Sequence, residues 1–134
     1  MTLRAVADTH ALLWYLYNDP RLSATAITFM DSIDKNGDQI AITSITLAEM
    51  VYLIEKGKIP PDSFERVVTL LAQAGATLVE IPFDQVIAGE MRRIERSQVP
   101  DFPDRIIAAT ALFLGVPLIS RDRKIQASIT TTIW

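Results

Sequence analysis

The chain contains no cysteine and a single histidine, His10. The first absence excludes a disulfide framework and any thiolate metal site. The second leaves too few nitrogen ligands for an ordinary zinc centre, so His10 is read as a packing or orienting residue. No run approaches the roughly 18–20 continuous apolar residues of a membrane span. Glycine is sparse, at five residues, and builds no phosphate cradle: neither G-x-x-x-x-G-K-[ST] nor G-x-G-x-x-G occurs. There is no G-x-S-x-G elbow either, which argues against a Ser–His–Asp hydrolase. Met1-Thr2-Leu3-Arg4 passes straight into a strand-like run, without signal-peptide architecture. The expectation is a soluble, cytoplasmic protein with no membrane segment.

What is present suits one core. The chain has 134 residues, 49% of them apolar, close to the commonest size of a single domain. No repeat, low-complexity tract or linker divides it, so residues 1–134 are read as one domain. The formal charge of −3 argues on its face against nucleic acid. Its distribution softens that. Four acids singled out below belong together, and without them the basic residues are in slight excess (16 acids against 13 Lys plus Arg in all). Arg92, Arg93, Arg96, Arg105, Arg121, Arg123 and Lys124 all fall in the second half. Solvated helix faces are the plain alternative for the first three.

Short apolar segments alternate with helical ones. Strands are expected at Leu3–Ala7, Gln39–Ile42, Thr77–Ile81 and Val116–Ile119, with a fifth at the β-branched Ile129–Ile133. Between them lie helical segments. Thr9–Tyr17 ends at the turn signal Asn18-Asp19-Pro20. A helix capped by Ser23 runs to about Lys35 and stops at Asn36-Gly37. Another, capped by Thr43 or Ser44, ends near Lys56-Gly57-Lys58. One follows Pro60-Pro61-Asp62-Ser63 and reaches Gln73. Phe83–Arg96 reads as helix, and after a turn at Pro100–Pro103 a last one runs to Leu114 with Gly115 as its cap. This alternation indicates an α/β domain with a mainly parallel sheet. Ligands of such sheets bind outside the carboxyl ends of the strands.

Four carboxylates stand where that edge should be. Asp8 follows the first strand and Asp122 the fourth; either is equally a helix N-cap. Asp104 lies in the first turn of its helix, where the dipole favours an acid, and Asp101 is an alternative cap there. Glu49 is harder to explain structurally. Its helix, Ile45-Thr46-Leu47-Ala48-Glu49-Met50-Val51-Tyr52-Leu53-Ile54, is apolar nearly all round and therefore reads as buried, as does Thr9–Tyr17. A buried carboxylate must be protonated, paired with an arginine, or on a metal. Oxygen-only ligation suits Mg²⁺ or Mn²⁺.

The residues around these acids resemble a known family. Asp8-Thr9-His10-Ala11-Leu12-Leu13-Trp14 is similar to the opening motif of the PIN-domain ribonucleases, specifically the VapC-type toxins. Ser44-Ile45-Thr46-Leu47-Ala48-Glu49 resembles the second acidic motif. Pro103-Asp104-Arg105-Ile106-Ile107-Ala108-Ala109-Thr110-Ala111 resembles the third, and Leu118-Ile119-Ser120-Arg121-Asp122-Arg123-Lys124-Ile125 the fourth. They occur in family order and span nearly the whole chain.

The resemblance implies a Rossmann-like sheet of about five strands flanked by helices. It implies that Asp8, Glu49, Asp104 and Asp122 are the catalytic set, converging on Mg²⁺ (or Mn²⁺). Asp8, Asp104 and Asp122 would be the metal ligands, with Glu49 on metal or on a water. Thr9 and Ser120 would support the acids with their hydroxyls. Arg105, Arg121, Arg123 and Lys124 would contact the RNA backbone, Arg105 alternatively forming a structural ion pair. The implied reaction is hydrolysis of RNA by metal-activated water, leaving a 5′-phosphate and a 3′-hydroxyl. The implied partners are RNA, a second copy in a homodimer, and an antitoxin protein that blocks the acidic groove.

Three rivals compete with that reading. A phosphoaspartate receiver wants an acid pair after its first strand and a lysine after a late one; here Ala7 precedes a lone Asp8, and Ser120-Arg121 follows the late strand. A PIN-like binding module without turnover should have lost one or more acids, and all four are present. A stand-alone RNA-processing nuclease shares every feature above except the antitoxin.

Overall fold

The computed structural model describes residues 1–128 and 130–134. Its strands are β1 (Leu3–Ala7), β2 (Gln39–Thr43), β3 (Leu78–Ile81), β4 (Leu118–Ile119) and β5 (Thr132–Ile133). They form one sheet in the order β3-β2-β1-β4-β5, and every pairing is parallel. The helices are α1 (Thr9–Leu16), α2 (Ala24–Lys35), α3 (Ser44–Glu55), α4 (Ser63–Ala72), α5 (Gln85–Glu90), α6 (Phe102–Leu114) and α7 (Arg123–Gln126).

The strands are mostly apolar because both faces of the sheet are covered, with Arg4 of β1 and Glu80 of β3 as exposed exceptions. Ala5, Ala7, Ile40, Ile42 and Ile119 point into one core with α1, α2, Met50 of α3 and Val67 of α4. The intervening Val6, Ala41 and Leu118 point into a second core with α5, α6 and Ile125 of α7. Alternation of side chains along each strand produces this two-sided burial. β1 sits in the middle. The chain leaves it toward β2 on one side and returns to β4 on the other. The gap between the carboxyl ends of β1 and β4 is thus the switch point where open parallel sheets bind ligands. Ala7 stands in register with Ile119 there, and the Asp8 amide donates to the Ile119 carbonyl at 3.1 Å.

Most helix boundaries follow local chemistry. The side chain of Ser23 accepts from the Ala26 amide and that of Thr43, not Ser44, from the Thr46 amide. Gly115 takes φ +67° after α6, a left-handed value that glycine adopts without steric cost.

Three expectations need correction. Phe83–Arg96 is not one helix: Asp84 caps α5, which gives way at Met91–Arg93 to a 3-10 turn, and Ile94 is extended at φ −106° and ψ 115°. Tertiary contacts override helix propensity here, since Ile94 and Val99 are each 1% exposed and are drawn into the second core. The last two strands are shorter than expected; β4 starts only after Pro117, and Ile129 lies outside the described residues. Finally, α1 is core but α3 is only partly so. Thr46 and Met50 are buried, whereas Val51 is 42% and Tyr52 55% exposed. An apolar helix circumference is buried only where other elements cover it, and this face of α3 lies open. No helix among the described residues is long and apolar enough to cross a membrane.

Candidate active site

All four singled-out acids line one cavity of about 400 Å³, together with Asp101. Backbone geometry brings them there. β1 ends at Ala7 and delivers Asp8; β4 ends at Ile119 and delivers Ser120 and Asp122. Asp101 and Asp104 stand at the start of α6, and Glu49 reaches in from α3.

The cap and ligand readings of these aspartates are compatible. Asp8 Oδ1 accepts the Ala11 amide at 2.8 Å, Asp101 Oδ1 accepts the Asp104 amide at 3.0 Å, and Asp122 Oδ1 accepts the Lys124 amide at 2.8 Å. In each case the helix-capping bond uses one carboxylate oxygen, which leaves the other for the pocket. Asp101 is therefore the cap of α6, and Asp104, three positions on, sits in the first turn with it.

Among the described residues, Glu49 is in no ion pair. Its Oε1 accepts the Thr9 hydroxyl at 2.6 Å, and Thr9 also meets the Thr46 hydroxyl at 3.1 Å. The Thr9 hydroxyl thus supports Glu49, while Ser120 stands by Asp8. The Ser120 Oγ accepts the Asp122 amide at 3.0 Å, so its own hydrogen is free to favour the Asp8 carboxylate.

Burial and mutual repulsion raise the proton affinity of Asp104, Glu49 and Asp8. Asp104 is pushed up to about 7, first by desolvation and then by the charges of Asp101, Asp122, Glu49 and Asp8. Glu49 is raised by burial, with the Thr9 hydrogen bond and His10 opposing and Asp101 and Asp8 adding. Asp8 is raised by burial against the pull of Ser120 and the Ala11 amide. Such a cluster favours any cation that enters it.

Among the described residues, no three His, Cys, Asp or Glu side chains stand close enough together to enclose one ion by themselves. The donor set still fits a hard divalent cation. It offers several carboxylates and no thiolate, their proton affinity is raised by one another, and Mg²⁺ keeps several waters with only one or two direct carboxylates.

The basic residues divide. Arg121 lines the pocket, while Arg123 and Lys124 are exposed on the neighbouring α7. Arg105 points away, its Nε and Nη2 donating to the carbonyls of Ile94 and Met91 at 3.0 and 2.9 Å. Sequence reasoning did not place His10, Trp14, Arg21 or Asp101 in the site, yet all four line it. Asp101 was legible in principle, since a cap three residues before Asp104 shares its helix end. Arg21 carried no such signal, because it arrives through the loop after α1.

The sheet edge and its acids define a small parallel α/β domain built around one carboxylate-rich pocket. The chain belongs to the PIN domain family, whose model matches residues 5–128. It is 25% identical over 130 residues to Ribonuclease VapC22 of Mycobacterium tuberculosis, covering 95% of each chain. Its fold is similar to VapBC2 from Rickettsia felis bound to a promoter DNA fragment (TM-score 0.71, 20% identity, 97% of each chain). It also resembles a toxin–antitoxin complex from Klebsiella pneumoniae (TM-score 0.66, 27% identity, 97% of this chain and 96% of that one). A third likeness is to FitAB bound to the IR36 DNA fragment (TM-score 0.66, 20% identity, 96% and 92%).

Proposed function

We propose that this chain is a metal-dependent endoribonuclease and the toxin of a toxin–antitoxin pair. The observation that carries the reading is the convergence of Asp8, Glu49, Asp101, Asp104 and Asp122 on one pocket at the switch point of the sheet. The name of the mycobacterial relative and the likeness to the Klebsiella toxin–antitoxin complex support it.

Asp8, Asp104 and Asp122 would hold Mg²⁺ or Mn²⁺. When bound, such an ion acidifies water and offsets the charge that develops on a scissile phosphate. Glu49, oriented by Thr9, accepts a hydrogen bond from the attacking water and aims its oxygen at phosphorus. In-line attack breaks the bond to the 3′-oxygen, the water's proton passes to solvent by way of Glu49, the leaving oxygen takes a proton from solvent to become a 3′-hydroxyl, and the new bond gives a 5′-phosphate. Arg121, Arg123 and Lys124 contact backbone phosphates, which position the strand without reading its sequence. An antitoxin chain and a second copy of this chain are the proposed partners, and the open apolar face of α3 supports a covering partner. A cytoplasmic location accords with an RNA substrate.

The test incubates pure protein with an RNA panel, with and without Mn²⁺ or Mg²⁺, beside Asp8→Asn and Asp104→Asn. Cleavage by the wild type alone, and only with metal, is expected. Equal cleavage by all three would trace the activity to a contaminant and sink the proposal.

A further inference from the structure

Two guanidinium groups line the acidic pocket without neutralising it. Arg21 and Arg121 share the cavity with the carboxylates, but neither pairs with them. Arg21 is held by Asp19 outside the cluster, its Nε and Nη2 donating to the two carboxylate oxygens at 3.0 and 2.8 Å. Arg121 makes no ion pair among the described residues. Both groups instead lie over the indole of Trp14, with Cζ at 4.9 Å (Arg21) and 4.6 Å (Arg121) from the ring centroid. Trp14 is only 6% exposed. Its ring is set by His10 and Trp134, whose ring centroids lie 5.5 and 5.9 Å away.

This arrangement needs a cause. An arginine beside a cluster of acids gains most by forming a charge-assisted pair with one of them. A guanidinium over an indole gains about 0.5–1 kcal/mol at an exposed site and about 2 when desolvated. The buried indole thus gives Arg121 a resting place off the acids, while Arg21 is held off the cluster by Asp19 and the indole together. The result is a negative floor with a positive rim. An RNA strand is repelled by the floor and attracted by the rim, so the rim decides where it lies.

We propose that Trp14 is a positioning residue that holds Arg21 and Arg121 on the pocket rim as a two-point clamp for phosphates flanking the scissile one in single-stranded RNA. This rests on the nuclease reading above and deepens it. A second cavity of about 470 Å³ shares His10, Trp14 and Arg21 with the acidic one and adds Lys58. It extends the track on the Arg21 side.

The experiment measures binding of a labelled single-stranded RNA by anisotropy across a NaCl series. It is run in the Asp104→Asn background with magnesium, and metal-dependent cleavage by the wild type is assayed alongside. On a single strand, the slope of log Kd against log salt falls by about 0.7 for each phosphate that the protein ceases to neutralise. Arg21→Ala and Arg121→Ala should each lower it by about that much. Trp14→Leu removes no charge yet should lower it too, whereas Trp14→Phe, which keeps an aromatic face, should largely retain it. Met30→Ala opens the same core without touching the rim and should leave the slope alone.

Unchanged slopes in both arginine variants overturn the clamp, and if the wild type still cleaves, the nuclease reading survives without it. Lowered slopes with no wild-type cleavage keep the clamp and overturn the nuclease. An unchanged slope in Trp14→Leu removes Trp14 from the device. A polyglutamate peptide that loses affinity in the arginine variants while RNA does not would show a rim built for protein, and would also overturn the proposal.

Discussion

The Thr9 hydroxyl donates to Oε1 of Glu49 at 2.6 Å and joins the start of α1 to the middle of α3. Thr9 follows Asp8 directly, so one dipeptide supplies a pocket acid and the support of another. The bond also explains how an acid persists on an apolar helix: it has a donor, and its far side faces the pocket.

Thr9→Val keeps the shape and removes that donor. Thr9 is 2% exposed, and an unsatisfied partly buried carboxylate costs about 1–3 kcal/mol. The variant should melt lower than the wild type at pH 8, and Thr9→Ser should recover most of the loss. Equal melting of Thr9→Val and wild type would show that the hydrogen bond adds nothing.

The pocket should make the metal-free protein more stable in mild acid than in mild base. Asp104 is held at about 7 rather than 3.8, and Glu49 and Asp8 are raised as well. Between pH 3.8 and about 7 the folded state keeps a proton that the unfolded chain has released. The native state therefore binds more protons in that window, and stability falls as pH rises through it. Thermal unfolding in EDTA should give a higher Tm at about pH 5.5 than at about pH 8, on either side of the folded-state value. Millimolar Mg²⁺ or Mn²⁺ should raise the Tm most on the alkaline side, and a metal response that is flat with pH would contradict the site.

Asp104→Asn separates stability from activity. Removing one charge from a mutually repelling set should raise the Tm in EDTA at alkaline pH and shrink the rise caused by metal. RNA cleavage should fall by at least about 100-fold, since loss of a supporting group around a metal alone costs about 10–100-fold. A lower Tm in EDTA would mean that the carboxylate is structural.

Arg105 should prove structural, unlike the basic residues proposed to contact RNA. Its guanidinium bridges the carbonyls of Met91 and Ile94 where α5 has given way. Arg105→Lys keeps the charge but lacks the planar fork that reaches both acceptors. It should cost about 1–3 kcal/mol in urea unfolding and leave the salt dependence of RNA binding unchanged. A lowered salt slope at full stability would return Arg105 to the RNA.

The strands were legible because a two-faced parallel strand must be largely apolar, and Leu3–Ala7 and Gln39–Ile42 are, Arg4 and Gln39 excepted. Ser23, Thr43, Asp101 and Gly115 announced helix ends because capping is local chemistry. Phe83–Arg96 misled because its helix-forming residues do not show that Ile94 and Val99 will be drawn inward. The α3 face misled for the opposite reason: an apolar surface does not say whether anything will cover it.

The sequence by itself determined the parallel α/β class, the order of the acidic motifs and the position of Asp8 and Asp122 after strands. Periodicity, caps and motif order are properties of neighbours in the chain. Only the tertiary structure decided that one oxygen of each capping aspartate serves a helix while the other is left to the pocket. It alone decided that Glu49 rests on Thr9 and that Arg21 and Arg121 meet over Trp14. Those are relationships between residues far apart in the chain, set by which strand ends lie side by side.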